Sequence, residues 1–568
     1  MTDRSLPVLD QLERGLRSLL DWAGTGLWRR VAVVLTVALL AALPGLSAMP
    51  VTDRDEARFV QASKQMLETG DLIDIRFQDQ PRWKKPAGIY WMQAGSASLF
   101  GGVDAEIWAY RLPSVLGAVA AALLLAWAMV PLAGQRAATL AAIMLPATLL
   151  TMGEANIAKT DAVLLALSVA TLGAVVRTLP EAARPSLIAP LALWAALGLA
   201  VLVKGPIVPV IALLALAALW VLRKERPRIG RLHPLPGLAL MVVIVAPWLI
   251  AIWQISDGGF FEESVGKDLL GKVSEGQEKH WGPPGLYFAL VWATFWPWAA
   301  LIPLASNWVW SERRSQIVVL VAAWVLPFWL VVEIVPTKLP HYVLPLYPAM
   351  ATLLAVWALE GTAPTSRRAA WASALLVAIP GFVLAGALIV LPAVLEGRVL
   401  WLALPFVLLG LGAVLLAAKA ALSARPLAQI AASLVAALTL GGAVLQIGLP
   451  ALETGFASPR IAVAAAPWRA CASGPLVTAG YREPSLVFLT ETGTLLATPP
   501  QAARALTEDP GTLMLLERRW LRLMEPYWDG PPPLIERAEL RYFNYNRGSF
   551  EDAVLVTPDD PRWAACAP

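Results

Sequence analysis

Acids, lysines and hydroxyl-bearing rings recur in this chain at the ends of apolar runs. The stretch "TDRDEARF" sets Asp53, Asp55 and Glu56 beside Arg54 and Arg58. Lys84 and Lys85 stand before Pro86 in "PRWKKPAGIYW". Asp161 follows Lys159 in "NIAKTDAVLLAL", Lys204 ends "VLVK", and Lys338, His341 and Tyr342 crowd "TKLPHYVLPLYP". Carboxylates can position an acceptor or remove its proton, while ammonium groups hold phosphate oxygens. A single charge at the edge of an apolar run is an ordinary boundary marker. Five such positions on one membrane face describe instead a cavity with carboxylates for a reacting centre and cations for a phosphate. Capping accounts for part of the first stretch: Asp53 as N-cap and Glu56 three residues on form a capping-box-like pair, and Asp55 suits the positive helix end.

The elements that must hold these residues are set by composition. The chain has 568 residues, 58% hydrophobic and only 15% charged, with a mean hydropathy of +0.62. A soluble interior stops growing well before this length, and apolar windows long enough to cross a hydrocarbon core of roughly 30 Å recur along the sequence. About thirteen membrane-spanning helices are expected. Net charge is only +4, which points to no nucleic-acid partner.

Basic residues alternate between loops. Arg4, Arg14, Arg17, Arg29 and Arg30 precede the first span, and every second short loop is basic, including "RKERPRIGR" at Arg223–Arg231. The N-terminus is therefore expected in the cytoplasm. An odd helix count then exports the C-terminal segment 451–568. Leu9, Leu12, Leu16 and Leu19 give the N-terminal stretch the pattern of an amphipathic surface helix and not of a cleavable signal.

Residues 1–450 form the expected transmembrane domain. Two long outer segments interrupt it, and long loops tend to be functional. In 49–110, "DEARFVQASKQMLETG" and "PAGIYWMQAGSASLFGG" read as juxtamembrane helices. The segment 256–285 reads as a flexible loop; its Lys267, Lys272 and Lys279 suit anionic headgroups, and His280 with Pro283-Pro284 suits a lid or a plain polar linker. The segment 451–568 reads as a small α/β domain. It carries the two cysteines, Cys471 and Cys566; an oxidising compartment permits a disulfide, and spacing alone neither supports nor excludes one.

The run from Thr52 to Gly101 resembles the first periplasmic loop of the GT-C glycosyltransferases that modify lipid A, and "KTDAVLLAL", "VLVKGP" and "TKLPHYVLPLYP" continue the likeness. Members transfer 4-amino-4-deoxy-L-arabinose or galacturonic acid. The resemblance implies a GT-C-type polytopic α-helical fold in the bacterial inner membrane, and a polyprenyl-phosphate-linked sugar donor with lipid A or another periplasmic glycolipid as acceptor. It casts Asp55 and Asp161 as catalytic acids. It assigns the donor phosphate to Lys84, Lys85, Lys267 and Tyr342, and substrate positioning to Glu56, Arg58, Lys204, Lys338 and His341. Lys84 stands where the aminoarabinose enzymes carry Glu, which argues for an acidic or neutral sugar. Ser264 stands near a position often held by His, which weakens an inherited metal site. Asp161 could help Asp55 hold a divalent cation through oxygen ligands, although no dense ligand cluster is visible; no other cofactor is expected.

The expected reaction is inverting transfer: the acceptor attacks the anomeric carbon from the face opposite the departing lipid phosphate. A transporter or flippase of lipid-linked sugars is the competing class. Transporters keep substrate charges near the bilayer midplane and often show inverted repeats; here the span centres lack charges and no repeat is visible.

Overall fold

The structure is a computed structural model that describes residues 7–178, 187–222, 228–271, 281–361, 366–528, 533–544 and 547–566. It is a bundle of apolar helices with a mixed sheet at its C-terminal end. Among the described residues, eight helices are long and apolar enough to cross a membrane, or ten if each of two bent pairs is one span. This is fewer than the thirteen expected. The difference lies in short helices: Leu27–Ala42, Ile188–Lys204 and Ile207–Leu222 have 16, 17 and 16 residues. At 1.5 Å per residue each reaches only about 25 Å.

The elements that matter for the site come early in the chain. Helix α1 (Pro7–Gly24) buries Leu9, Leu16 and Leu20 and precedes α2 (Leu27–Ala42). Helix α3 (Asp55–Thr69) stops at Gly70, whose φ of 73° supplies the left-handed turn. A two-residue hairpin, β1 (Arg76–Phe77) with β2 (Gln80–Pro81), leads to α4 (Gly88–Leu99). The spans α5 (Ile107–Ala128) and α8 (Asp161–Thr178) pack closely, because a Cβ at Gly117 would come within 2.7 Å of the Ala162 and Val163 backbone. Helices α6 (Val130–Met144) and α7 (Leu149–Ala155) form one bent pair at 63°. Thr148 caps α7 by accepting the Thr151 N–H at 3.2 Å. Helix α9 (Ile188–Lys204) meets α4 at Gly88, where a Cβ would lie 2.7 Å from the Leu202 carbonyl oxygen.

The 25 tryptophans divide by environment. Trp296, Trp298 and Trp324 are buried, and their indole N–H groups donate to the carbonyls of Val377, Met144 and Pro345 at 3.1, 2.6 and 3.0 Å. Large rings inside a core need such an acceptor for the polar edge. Trp28, Trp253, Trp310 and Trp401 are exposed on the bundle.

The C-terminal sheet has strands β3 (Val477–Ala479), β4 (Leu495–Leu496), β5 (Met514–Glu517), β6 (Leu534–Asn544) and β7 (Ser549–Pro558) in the order β4-β3-β5-β7-β6. Strand β3 runs parallel to β4 and β5, whereas β7 runs antiparallel to β5 and β6. Cys471 and Cys566 are disulfide-bonded, with their Cα atoms 6.1 Å apart. The helix Pro484–Leu489 rests on α3. There Phe488 joins an apolar cluster with Ala57, Val60 and Tyr110. Around this contact Gln61 Nε2 donates to Thr492 Oγ1 at 2.7 Å, and Gln78 Nε2 donates to the Thr492 and Thr494 carbonyls at 2.9 and 2.6 Å.

Candidate functional site

Charges gather where helices begin and end. Asp161 is the first residue of α8 and Lys204 the last of α9; an acid at a helix N-terminus and a cation at a C-terminus both oppose the local dipole charge. The ends lie together, so Lys204 Nζ donates to Asp161 Oδ1 at 2.5 Å, and Thr160 Oγ1 reaches Oδ2 at 3.3 Å. The 3₁₀ segment Pro340–Leu346 brings His341 and Tyr342 to the same place. His341 Nε2 stands 3.8 Å from Asp161 Oδ1, and its Nδ1 stands 3.6 Å from Glu154 Oε1 on α7. Lys159 Nζ donates to the same Glu154 oxygen at 3.3 Å. Lys204 also sits 5.8 Å from the centre of the Tyr342 ring.

Glu154, Lys159 and His341 of this group border a cavity of about 550 Å³. Its polar wall is Asp53, Arg54, Asp55, Glu154, Lys159 and His341, and its apolar wall includes Leu149, Leu150, Ile157 and Leu339. Burial opposes a charge on Lys159, yet Glu154, Asp161 and Asp55 together hold its ammonium above the ordinary lysine range. Arg54 enters α3 with φ at 67°, a conformation rare for a residue with a side chain and one that clusters at functional sites.

Lys85 lies in the turn before α4, and its Nζ meets Asp268 Oδ2 at 2.5 Å. Asp268 belongs to the wide-turned helical segment Glu262–Leu270 and is buried. Burial pushes the Tyr90 hydroxyl up; Arg82 opposes this, while Asp55 and Asp268 add to it. Tyr342 likewise lies within electrostatic reach of Asp161, Asp268 and Asp55. Asp55 and the Lys85–Asp268 pair therefore share one region, joined through Tyr90 and Tyr342.

Other expected residues sit elsewhere. Glu56 is 1% exposed and spends both oxygens on the scaffold. Arg111 Nε meets Oε1 at 2.8 Å and its other nitrogen meets Oε2 at 3.0 Å, while the N–H groups of Ala158 and Thr52 donate at 2.8 Å each. Burial alone would raise the Glu56 carboxyl, but Arg111 and these donors hold it below its ordinary value. Nothing of Glu56 remains to position a substrate. The cap contact of α3 also differs from expectation, because Thr52 and not Asp53 pairs with Glu56. Asp53 instead accepts a hydrogen bond from Ser485 of the C-terminal domain. Lys338 donates to the Val332 and Glu333 carbonyls at 2.7 Å each, closing the C-terminal end of the helix Gln316–Ile334. A lysine that ends a helix and a lysine that lines a cavity look alike in sequence. The Lys267 side chain is 64% exposed and pairs with Glu262 and Glu263 at 3.3 and 3.5 Å. Arg58 lies within electrostatic reach of Glu483 in the C-terminal domain. Lys84 adjoins Lys85, whose Nζ contacts the Lys84 carbonyl at 3.1 Å. Lys272, Lys279 and His280 fall outside the described residues.

Two participants were missed by sequence reasoning. Glu154 was hidden in "TMGEANIAKTD", seven residues before Asp161, where α7 turns back toward α8. Asp268 was masked by its neighbour Lys267. Among the described residues, Glu154, Asp161 and His341 bring ligand atoms within 4.8 Å of one another and would be the natural holders of a divalent cation. The set includes Asp161 but not Asp55. Lys159 and Lys204 already place ammonium groups against its two carboxylates, which neutralises them without a metal.

Residues 84–253 match the family model described as dolichyl-phosphate-mannose-protein mannosyltransferase. Over 345 residues the chain is 28% identical to the undecaprenyl phosphate-alpha-4-amino-4-deoxy-L-arabinose arabinosyl transferase of Pectobacterium carotovorum, a region covering 60% of each protein. Its counterpart from Edwardsiella ictaluri is 29% identical over 337 residues, 58% of each. The matched region thus spans about three fifths of these curated relatives. The crystal structure of ArnT from Cupriavidus metallidurans bound to undecaprenyl phosphate superposes with a TM-score of 0.71 at 19% identity, covering 95% of this chain and 99% of that one. The apo form gives a TM-score of 0.70. The fold is that of ArnT, and the family-model match takes in Lys85, Asp161 and Lys204.

Proposed function

We propose that this chain, a multi-pass membrane protein with the ArnT fold, is a glycosyltransferase that moves a sugar from a polyprenyl-phosphate carrier to lipid A or another glycolipid. The observation that carries the reading is convergence. Asp55 and His341 come from separate elements and line one cavity, the Asp161–Lys204 pair stands against His341, and the Lys85–Asp268 pair lies within electrostatic reach of Tyr342 next to His341. We place that end, with the C-terminal domain, on the periplasmic side of the bacterial inner membrane and the N-terminus in the cytoplasm, following the alternation of basic loops.

In the proposed reaction an acceptor oxygen bonds to the anomeric carbon as the bond from that carbon to the phosphate oxygen breaks. The electron pair leaves with the lipid phosphate, and configuration inverts. Lys85, with Lys84 beside it, stabilises the growing phosphate charge; the phosphate first displaces Asp268 from Lys85. Tyr342 donates from the cavity side. Asp55 removes the proton of a hydroxyl acceptor. If the acceptor is a lipid A phosphate, already ionised, Asp55 positions it instead. Asp161, held by Lys204 and faced by His341, fixes the floor of the site.

The test is transfer of a radiolabelled sugar from undecaprenyl phosphate to lipid A in proteoliposomes. Asp55→Asn and Lys85→Ala should each abolish the covalent product while the amount of folded protein, judged by gel filtration, stays at the wild-type level. Sugar-lipid crossing the bilayer with no covalent product would identify a transporter and end the proposal.

A further inference from the structure

One polar group on the cavity wall is left unused by the proposed chemistry. Glu154 is 6% exposed and borders the cavity. Its Oε1 accepts from Lys159 at 3.3 Å. Its Oε2 is buried and accepts no hydrogen bond, although Lys159 Nζ lies 3.3 Å from it. Asp161 offers a contrast: each of its oxygens has a donor, from Lys204 and from Thr160. A buried carboxylate oxygen without a donor is costly, and such orphans in native structures call for a ligand or a mechanistic reason.

The surroundings narrow the ligand. A divalent cation shared by Glu154 and Asp161 would have to expel the ammonium groups of Lys159 and Lys204 that pair with them. An organic ligand with hydroxyl groups needs no such displacement. Glu154 and Lys159 together carry no net charge and present an acceptor and a donor side by side. Next to them Leu149, Leu150 and Ile157 offer an apolar surface. A sugar ring has both faces of this pattern, with hydroxyls at its rim and C–H groups on its flat side.

We infer that Glu154 is a sugar-recognition residue: its Oε2 accepts a hydrogen bond from a ring hydroxyl of the sugar carried on the lipid phosphate. The inference rests on the transferase reading above and adds to it the residue that distinguishes a loaded carrier from a bare one. The Glu154–Lys159 pair reads hydroxyls and not charge, so it suits a neutral ring.

The test compares binding of undecaprenyl phosphate and undecaprenyl phosphate-glucose to the full-length protein in nanodiscs, followed by tryptophan fluorescence. Wild type should bind the glucose-bearing lipid about tenfold more tightly than the bare one, the size of one well-made hydrogen bond to a charged group. Glu154→Gln, which weakens the acceptor, and Glu154→Asp, which withdraws it by one methylene while keeping the charge for Lys159, should each lose most of that difference and bind the bare carrier as wild type does. Discrimination that survives in either variant that binds bare carrier overturns the inference. Failure of both variants to bind bare carrier assigns Glu154 to the scaffold and also overturns it. Equal binding of the two lipids by wild type overturns the inference alone, whereas binding of neither removes the transferase reading beneath it.

Discussion

Arg111 is wholly buried at the start of α5, and Glu56 makes that burial tolerable by meeting the guanidinium with both oxygens. Removing one member of such a pair leaves a charge stranded in the interior, at a cost of about 3–5 kcal/mol. Glu56→Gln should therefore lower the thermal unfolding midpoint of the detergent-solubilised protein, whereas Asp55→Asn should leave it unchanged. The contrast separates two neighbours that look equivalent in "DRDEAR". Asp55 was legible as a site residue through its match to the leading aspartate of the family motif, and the structure leaves it exposed on the cavity wall. The role of Glu56 was not legible, since its partner lies 55 residues away in "YRLPSVLG", where an arginine reads as the edge of a span. Glu154 went unread for a related reason: a lone acid at the end of an apolar run carries no local sign of the histidine and lysine that face it.

Helix ends explain most of what could be foreseen at the next scale. Asp161 and Lys204 each terminate an apolar run, and any compact bundle brings such ends into one layer; the pairing of this acid with this lysine needed the structure. Lys338 shows the limit, since it also ends a run yet turns to the carbonyls and the Glu333 carboxylate of the helix before it and to the Tyr287 ring. In the segment Glu262–Leu270 Lys267 points to solvent while Asp268 turns inward to Lys85. Basic composition drew attention to the wrong one of the two. Asp268 holds the cation that the proposed donor phosphate requires. Asp268→Asn should thus tighten binding of undecaprenyl phosphate several-fold, read by fluorescence titration; weaker binding would show that Asp268 instead orients Lys85 for the lipid.

Over the whole molecule, hydropathy revealed the membrane bundle, and alternating short apolar runs revealed a mixed α/β domain after it. The expected count exceeds the long apolar helices because a hydropathy window also takes in apolar helices of 16 or 17 residues, such as Leu27–Ala42, Ile188–Lys204 and Ile207–Leu222. Strand order and the docking of the C-terminal domain on α3 were invisible, because they depend on contacts between distant parts of the chain. That docking has a pH dependence. Burial pushes the Asp53 carboxyl up to about 7; the Ser485 hydrogen bond opposes this, Glu483 adds to it and Arg54 opposes it. Glu483 is also raised, chiefly by burial, with Arg54 and Arg58 opposing. A raised folded-state value means that the protonated form favours folding. The Asp53 contribution is then complete below about 4 and is lost as pH rises through about 7. Thermal unfolding between pH 5 and 8 should show wild-type stability declining with pH by on the order of 1–2 kcal/mol from this residue. Asp53→Asn should flatten that slope and be the more stable protein at pH 8. A slope unchanged by the substitution would locate the titration in Glu483 alone.

The hydrogen bond between Ser485 and Asp53 joins residues 432 positions apart. During synthesis the segment that carries α3 emerges early, while the surface that covers it is still untranslated. For most of translation, then, that segment waits with Ala57, Val60 and Tyr110 lacking the Phe488 ring that later packs on them. A chain arrested before the final hundred or so residues would insert its helices and resemble the mature protein by size and membrane extraction. It would still lack the surface that packs on α3. The packing of α3 is thereby finished only when the polypeptide is nearly complete.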